Sequence, residues 1–93
     1  MDAKEAERIN LVTEVVPHDN LMKAVRELAL KIMRGPSVAI ELTKKAVYRG
    51  LVSDLPSQLY FENHAQNICF MTEDFKEGIR AFLEKRRPVF KGF

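Results

Sequence analysis

Apolar residues recur along most of this chain at spacings of three and four, the period of a helix rather than of a strand. Leu21, Val25, Leu28 and Ile32, joined by Leu30 and Met33, predict an inward-facing helical stripe that opens after a cap at Asp19 or Asn20 and ends at Gly35-Pro36. Val38, Leu42, Ala46 and Val47 predict a second helix, capped by Ser37, favoured at its start by Glu41 and ended near Gly50. The loop Ser53-Asp54-Leu55-Pro56 then leads into a third through Leu59, Tyr60, Glu62, His64 and Ile68, since proline is tolerated in a first turn. Thr72-Glu73-Asp74 breaks that helix. A fourth runs from about Asp74 to Arg86, with Phe75, Ile79, Phe82 and Leu83 on one side, and Pro88 stops it.

The first seventeen residues read differently. Residues 3–8, with Asp2 as cap, are good helix formers but span only about two turns. Leu11-Val-Thr-Glu-Val-Val16 is rich in β-branched residues and ends at Pro17, which predicts a short extended strand. No second strand follows, so its ladder groups would lack a partner. The expectation is a mainly α chain of four to five helices with one short N-terminal extended segment. Turns of two to six residues predict antiparallel neighbours.

Composition narrows the class. Ninety-three residues, 46% hydrophobic and 30% charged, suit one modest core and are too apolar for a disordered chain. The longest apolar run, Ile68 to Met71, is far below the ~20 residues of a membrane helix, which predicts a soluble protein with no membrane partner. The single cysteine, Cys69, cannot form an internal disulfide and lies among apolar neighbours; packing and a reducing, cytoplasmic setting are the expectation. The net charge of +2 hides an asymmetry. Residues 1–75 carry nine Lys/Arg against eleven Asp/Glu, whereas residues 76–93 carry six against two. A positive end on an acidic chain predicts a local anion partner. With no recognition motif around Lys85, Arg86, Arg87 and Lys91, no nucleic-acid partner is expected.

Candidate chemistry is sparse. His18 and His64 are far apart and only one thiol exists, so no metal site is expected. Ser37, Ser53 and Ser57 have no base or strained elbow; Ser37 and Ser57 read as caps or loop residues. The four glycines are too scattered for a phosphate loop. His64 reads as solvated or hydrogen-bonded, and Glu41 with Lys45 as an i,i+4 surface pair. Gly78 is the anomaly, because glycine inside a helix costs about 1 kcal/mol relative to alanine; either a neighbouring helix or a ligand would have to approach there. Phe82 and Lys85, three residues apart, would offer an aromatic surface and an ammonium at a helix C-terminus. They could hold a flat ring and a phosphate, or serve as a core aromatic and a solvated charge.

Three segments carry a resemblance. Asp2 to Pro17, Pro36-Ser-Val-Ala-Ile-Glu-Leu-Thr-Lys44, and above all Glu73-Asp-Phe-Lys-Glu-Gly-Ile-Arg-Ala-Phe-Leu-Glu-Lys-Arg-Arg-Pro-Val-Phe90 resemble the C-terminal third of the enoyl-CoA hydratase/isomerase (crotonase) family. The resemblance runs through essentially the whole chain, in order. It implies a helical, trimerisation-type C-terminal domain at 18–93, preceded at 1–17 by a short helix and strand from the end of a catalytic spiral core that is absent here. It also implies homo-oligomers, trimer or hexamer in the intact family, acting on acyl-CoA thioesters in fatty-acid metabolism. The family's oxyanion-hole amides and two catalytic glutamates have no counterpart in these residues, so no catalytic residue is assigned and the chain is expected to be inactive alone. By motif position, Phe70 and Lys85, with Phe82 beside them, are the implied CoA contacts. No cofactor is implied beyond acyl-CoA as substrate or ligand. Asn10 stands where the family has glycine and is expected to keep the turn, because asparagine tolerates left-handed backbone. An independent helical module that buries Met22, Met33, Leu51 and aromatic residues against a protein partner is the competing reading.

Overall fold

A computed structural model describes residues 1–93 and shows five α-helices and no strand. The helices are α1 (Ala3–Arg8), α2 (Leu21–Met33), α3 (Ser37–Gly50), α4 (Leu55–Phe70) and α5 (Glu73–Leu83). The chain divides into two compact units, Met1–Ile32 and Met33–Phe93.

In the first unit, Asp2 caps α1 by accepting from the Glu5 amide at 2.8 Å. Asn10 then turns left-handed at φ 57°, as its sequence position predicted. The Asn10 amide bonds the Glu7 carbonyl and the Leu11 amide reaches back to Ala6 at 2.8 Å, the paired bonds of a Schellman stop. The expected strand over 11–16 is not formed. No neighbouring strand offers it a ladder; its Leu11 and Val12 amides turn back to Ala6, and the Val15 amide donates to the Glu7 carboxylate at 2.9 Å. His18–Asn20 form a single 3-10 turn running into α2. The stripe of α2 does not face inward: Leu21, Val25, Leu28, Leu30 and Ile32 are all about half exposed. Its amphipathic pattern is present without a surface to cover it.

In the second unit, α3 and α4 form an antiparallel-type helical pair across the four-residue turn 51–54, and α5 packs on α4. Ser37 is not the cap of α3. It is the first helical residue, and Pro36 occupies the cap position without a side-chain bond. Asp54 caps α4, accepting from the Ser57 amide and hydroxyl, both at 2.9 Å. One hydroxyl joins the next two elements: Thr72 Oγ1 donates to the Cys69 carbonyl at 2.7 Å, closing α4, and accepts from the Phe75 amide at 3.1 Å, opening α5. The Glu41–Lys45 pair forms as its spacing predicted. His64 Nδ1 lies 3.0 Å from the Tyr60 carbonyl oxygen, so the imidazole is hydrogen-bonded within its own helix.

What is missing is a core. Ala81 is the one buried apolar residue, and Asp74 the one buried charge. Accessible surface totals 8163 Å², whereas a compact monomer of this mass exposes roughly 5,500 Å². Hydrophobic side chains are abundant, but the chain covers most of the large ones only in part.

Candidate functional site

Helices α3, α4 and α5 line one open groove of about 910 Å³. Small residues line it, among them Ala39, Ala46, Gly50, Ala65 and Gly78, while Leu42, Phe75, Ile79, Phe82 and Phe90 supply larger apolar surface. No neighbouring helix crowds Gly78: a Cβ there would meet the Phe90 ring at 3.8 Å, ordinary contact. Cys69 is half-buried and lines the same groove. Gln58 bridges the helix pair, its Nε2 donating to the Ala46 carbonyl and to Glu62, both at 2.9 Å.

The three residues singled out as ligand contacts are placed unequally. Phe82 lines the groove and is 81% exposed, so it is not a core aromatic in this chain. Phe70 lies outside the groove but packs on Phe75, which lines it, with ring centroids 4.8 Å apart and planes at 58°. Lys85 does not share a helical face with Phe82. The helix ends at Leu83, and Lys85 adopts φ 54°, the left-handed residue of a second Schellman stop. Its amide bonds the Phe82 carbonyl at 3.2 Å, while the Arg86 amide reaches Ala81 at 3.0 Å.

A lysine in that conformation is uneconomical, because an L side chain in left-handed backbone costs roughly 1–2 kcal/mol and glycine avoids it. Lys85→Gly should therefore stabilise the chain by about 0.5–1 kcal/mol, after the greater unfolded-state freedom of glycine is subtracted. Urea unfolding checks it; a loss of stability would mean that the Lys85 side chain carries packing the backbone argument ignores.

Two carboxylates that sequence reasoning did not single out organise this end of the chain. Glu77, only 16% exposed at its side chain, receives Arg86 on both oxygens at 2.6 and 3.0 Å and the Val89 amide at 3.0 Å, with Arg80 at 3.6 Å. The Arg86 hydrogen bonds, followed by the Val89 amide, lower its carboxyl to about 2, while hydrogen bonds to Glu77 and then Glu84 raise Arg86 above its ordinary value. Since the folded carboxyl is the stronger acid, its stabilisation is fully present above about pH 4.5 and fades as pH falls towards 2. Comparison of acid unfolding of the chain with that of Glu77→Gln should give curves that separate above pH 4.5 and converge near pH 2. Parallel curves would refute the linkage. Asp74, 3% exposed, accepts the Lys91 amide at 2.6 Å and the Gly92 amide at 2.9 Å, and its own amide bonds the Phe93 carbonyl oxygen at 3.0 Å. The local signal for both was visible, an acid pair in the first turns of a helix followed by a basic tail, but which amides they would hold depends on the tail turning back.

No helix is long and apolar enough to cross a membrane. No cluster of three or more His, Cys, Asp and Glu could hold a metal ion.

Comparison with known proteins gives a consistent likeness. The profile of the enoyl-CoA hydratase/isomerase family matches residues 1–92. A short-chain-enoyl-CoA hydratase of Clostridium acetobutylicum is 45% identical over 85 residues, covering 91% of this chain and 33% of the relative. A crotonyl-CoA hydratase of Syntrophomonas wolfei is 39% identical over 90 residues, covering 97% of this chain and 35% of the relative. The crystal structure of an enoyl-CoA hydratase/isomerase from Cupriavidus metallidurans superimposes with a TM-score of 0.91 at 35% identity, over 100% of this chain and 35% of that one. The chain thus spans about a third of the length of the relatives it matches.

Proposed function

The chain belongs to the enoyl-CoA hydratase/isomerase family, and from that premise we propose that it is the C-terminal assembly and CoA-contact portion of a hydratase-like protein acting on acyl-CoA thioesters. One observation carries the reading. The whole helical chain superimposes on a third of a hydratase/isomerase structure while leaving its own apolar groove bare, as expected of a segment that packs on something larger. Residues 1–17 would then close the catalytic core, and 18–93 would form the helical domain that joins subunits into a homo-oligomer. Lys85 would reach a CoA phosphate, with Phe70 and Phe82 giving apolar contact to the ligand; the strained backbone at Lys85 supports its part.

The experiment is complementation. The first two-thirds of the Syntrophomonas wolfei crotonyl-CoA hydratase, co-expressed with this chain, should assemble and hydrate crotonyl-CoA, while this chain alone should not exceed background. Lys85→Ala in that assembly should raise KM with little change in kcat, because a remote phosphate contact binds ground and transition states alike. Failure to assemble, or turnover by the chain alone, overturns the proposal.

A further inference from the structure

After the Schellman stop at Lys85 the chain reverses and runs back along α5. Val89 meets Glu77, Lys91 and Gly92 meet Asp74 one turn nearer the helix start, and the Phe93 carbonyl oxygen accepts the Asp74 amide. Each clamp is a carboxylate receiving main-chain amides, so the contact does not depend on which side chains the tail carries. Acceptors with full charge make these bonds stronger than neutral ones. Phe90, between the two clamps, is laid on Gly78 and becomes part of the groove wall. At the tip, Gly92 takes φ 90°, and a Cβ there would stand 2.9 Å from the Ser37 hydroxyl at the start of α3.

The tail therefore touches both ends of the second unit: it is fastened to α5 and abuts α3. We propose that residues 88–93 are a latch, locked by Asp74 and Glu77, that seats Phe90 in the groove wall, ties α5 to the start of α3, and opens as one piece without unfolding the α3–α4 pair. The latch fixes the width of the groove at its α5 side. Release withdraws Phe90 and frees the Gly78 face of α5. Nothing in this depends on acyl-CoA, so it stands or falls apart from the assembly and CoA-contact reading.

Two substitutions attack the latch from opposite sides. Asp74→Asn turns a clamp oxygen into an amide donor that faces another donor. Gly92→Ala leaves both clamp carboxylates unchanged and instead brings a methyl against Ser37 in a backbone conformation that alanine disfavours. Amide exchange and proton shifts, followed by NMR on the full 93-residue chain at near-neutral pH, give the readout. Both variants should speed exchange at the amides of residues 89, 91 and 92 at least tenfold together, and both should erase the ring-current shift of the Gly78 α protons, while exchange in α3 and α4 changes less than twofold. Three results overturn the proposal: exchange altered only beside the substituted residue, Gly78 shifts unmoved in either variant, or equal acceleration throughout α3 and α4.

Discussion

Asp74→Ala is expected to cost the second unit about 2–3 kcal/mol, the largest loss from any single side chain in it. The figure follows from what is left behind. Two main-chain amides, those of Lys91 and Gly92, lose a charged acceptor in a part-buried place where water replaces it poorly. The first turn of α5 also loses an acid that complements its dipole. In a chain with so little core, that loss is enough to free the tail and fray α5. Urea unfolding at fixed protomer concentration, followed by helical circular dichroism, measures it. A change below about 0.5 kcal/mol, the range of ordinary surface substitutions, would mean the clamp merely accompanies the fold.

The second large effect concerns association. At tens of micromolar the chain is expected to sediment as a self-associated species and to bind an exposed-apolar dye, because the α3–α5 groove and the stripe of α2 have no cover. Ala46→Glu sets a carboxylate in the groove lining, where Gln58 already joins Ala46 to Glu62, and leaves the helix propensity of α3 nearly unchanged. Desolvating that like-charge pair costs several kcal/mol, so association through the groove should weaken more than about 100-fold. A wild-type chain that stays monomeric at high concentration and excludes the dye would remove the basis for a groove-mediated assembly. Unchanged association in Ala46→Glu would move the contact to another face.

Most helices were legible from spacing and punctuation. Gly35-Pro36, Gly50 and Pro56 delimit elements where their backbone constraints say they should. Asn10 kept its turn because the left-handed region it tolerates is all a Schellman stop requires. The strand over 11–16 was misread because β-branched composition reports a willingness to pair, whereas pairing needs a second strand that no local pattern supplies. The inward stripe of Leu21 to Ile32 failed for a related reason: periodicity tells which residues share a face, and only a neighbouring surface decides whether that face is dry. The helix expected to reach Arg86 stops at Leu83, so Lys85 falls in the unwound residues that follow it. The glycine at 78 is not required by a close approach, since a Cβ there would meet only the Phe90 ring at 3.8 Å, an ordinary contact made by a tail whose reversal no periodicity encodes.

The near absence of buried apolar surface has a calorimetric consequence. Unfolding normally raises the heat capacity by about 12–15 cal/mol/K per residue, because apolar groups enter water. In this chain most of them are already there. Its melting should therefore be broad, with a small enthalpy, a small heat-capacity step and a shallow urea dependence. If the groove packs on the rest of a hydratase-like protein as proposed, the missing heat-capacity change should appear there, as a large negative temperature dependence of the binding enthalpy. On the assembly proposed above, subunit association and the formation of a hydrophobic core would be one thermodynamic event.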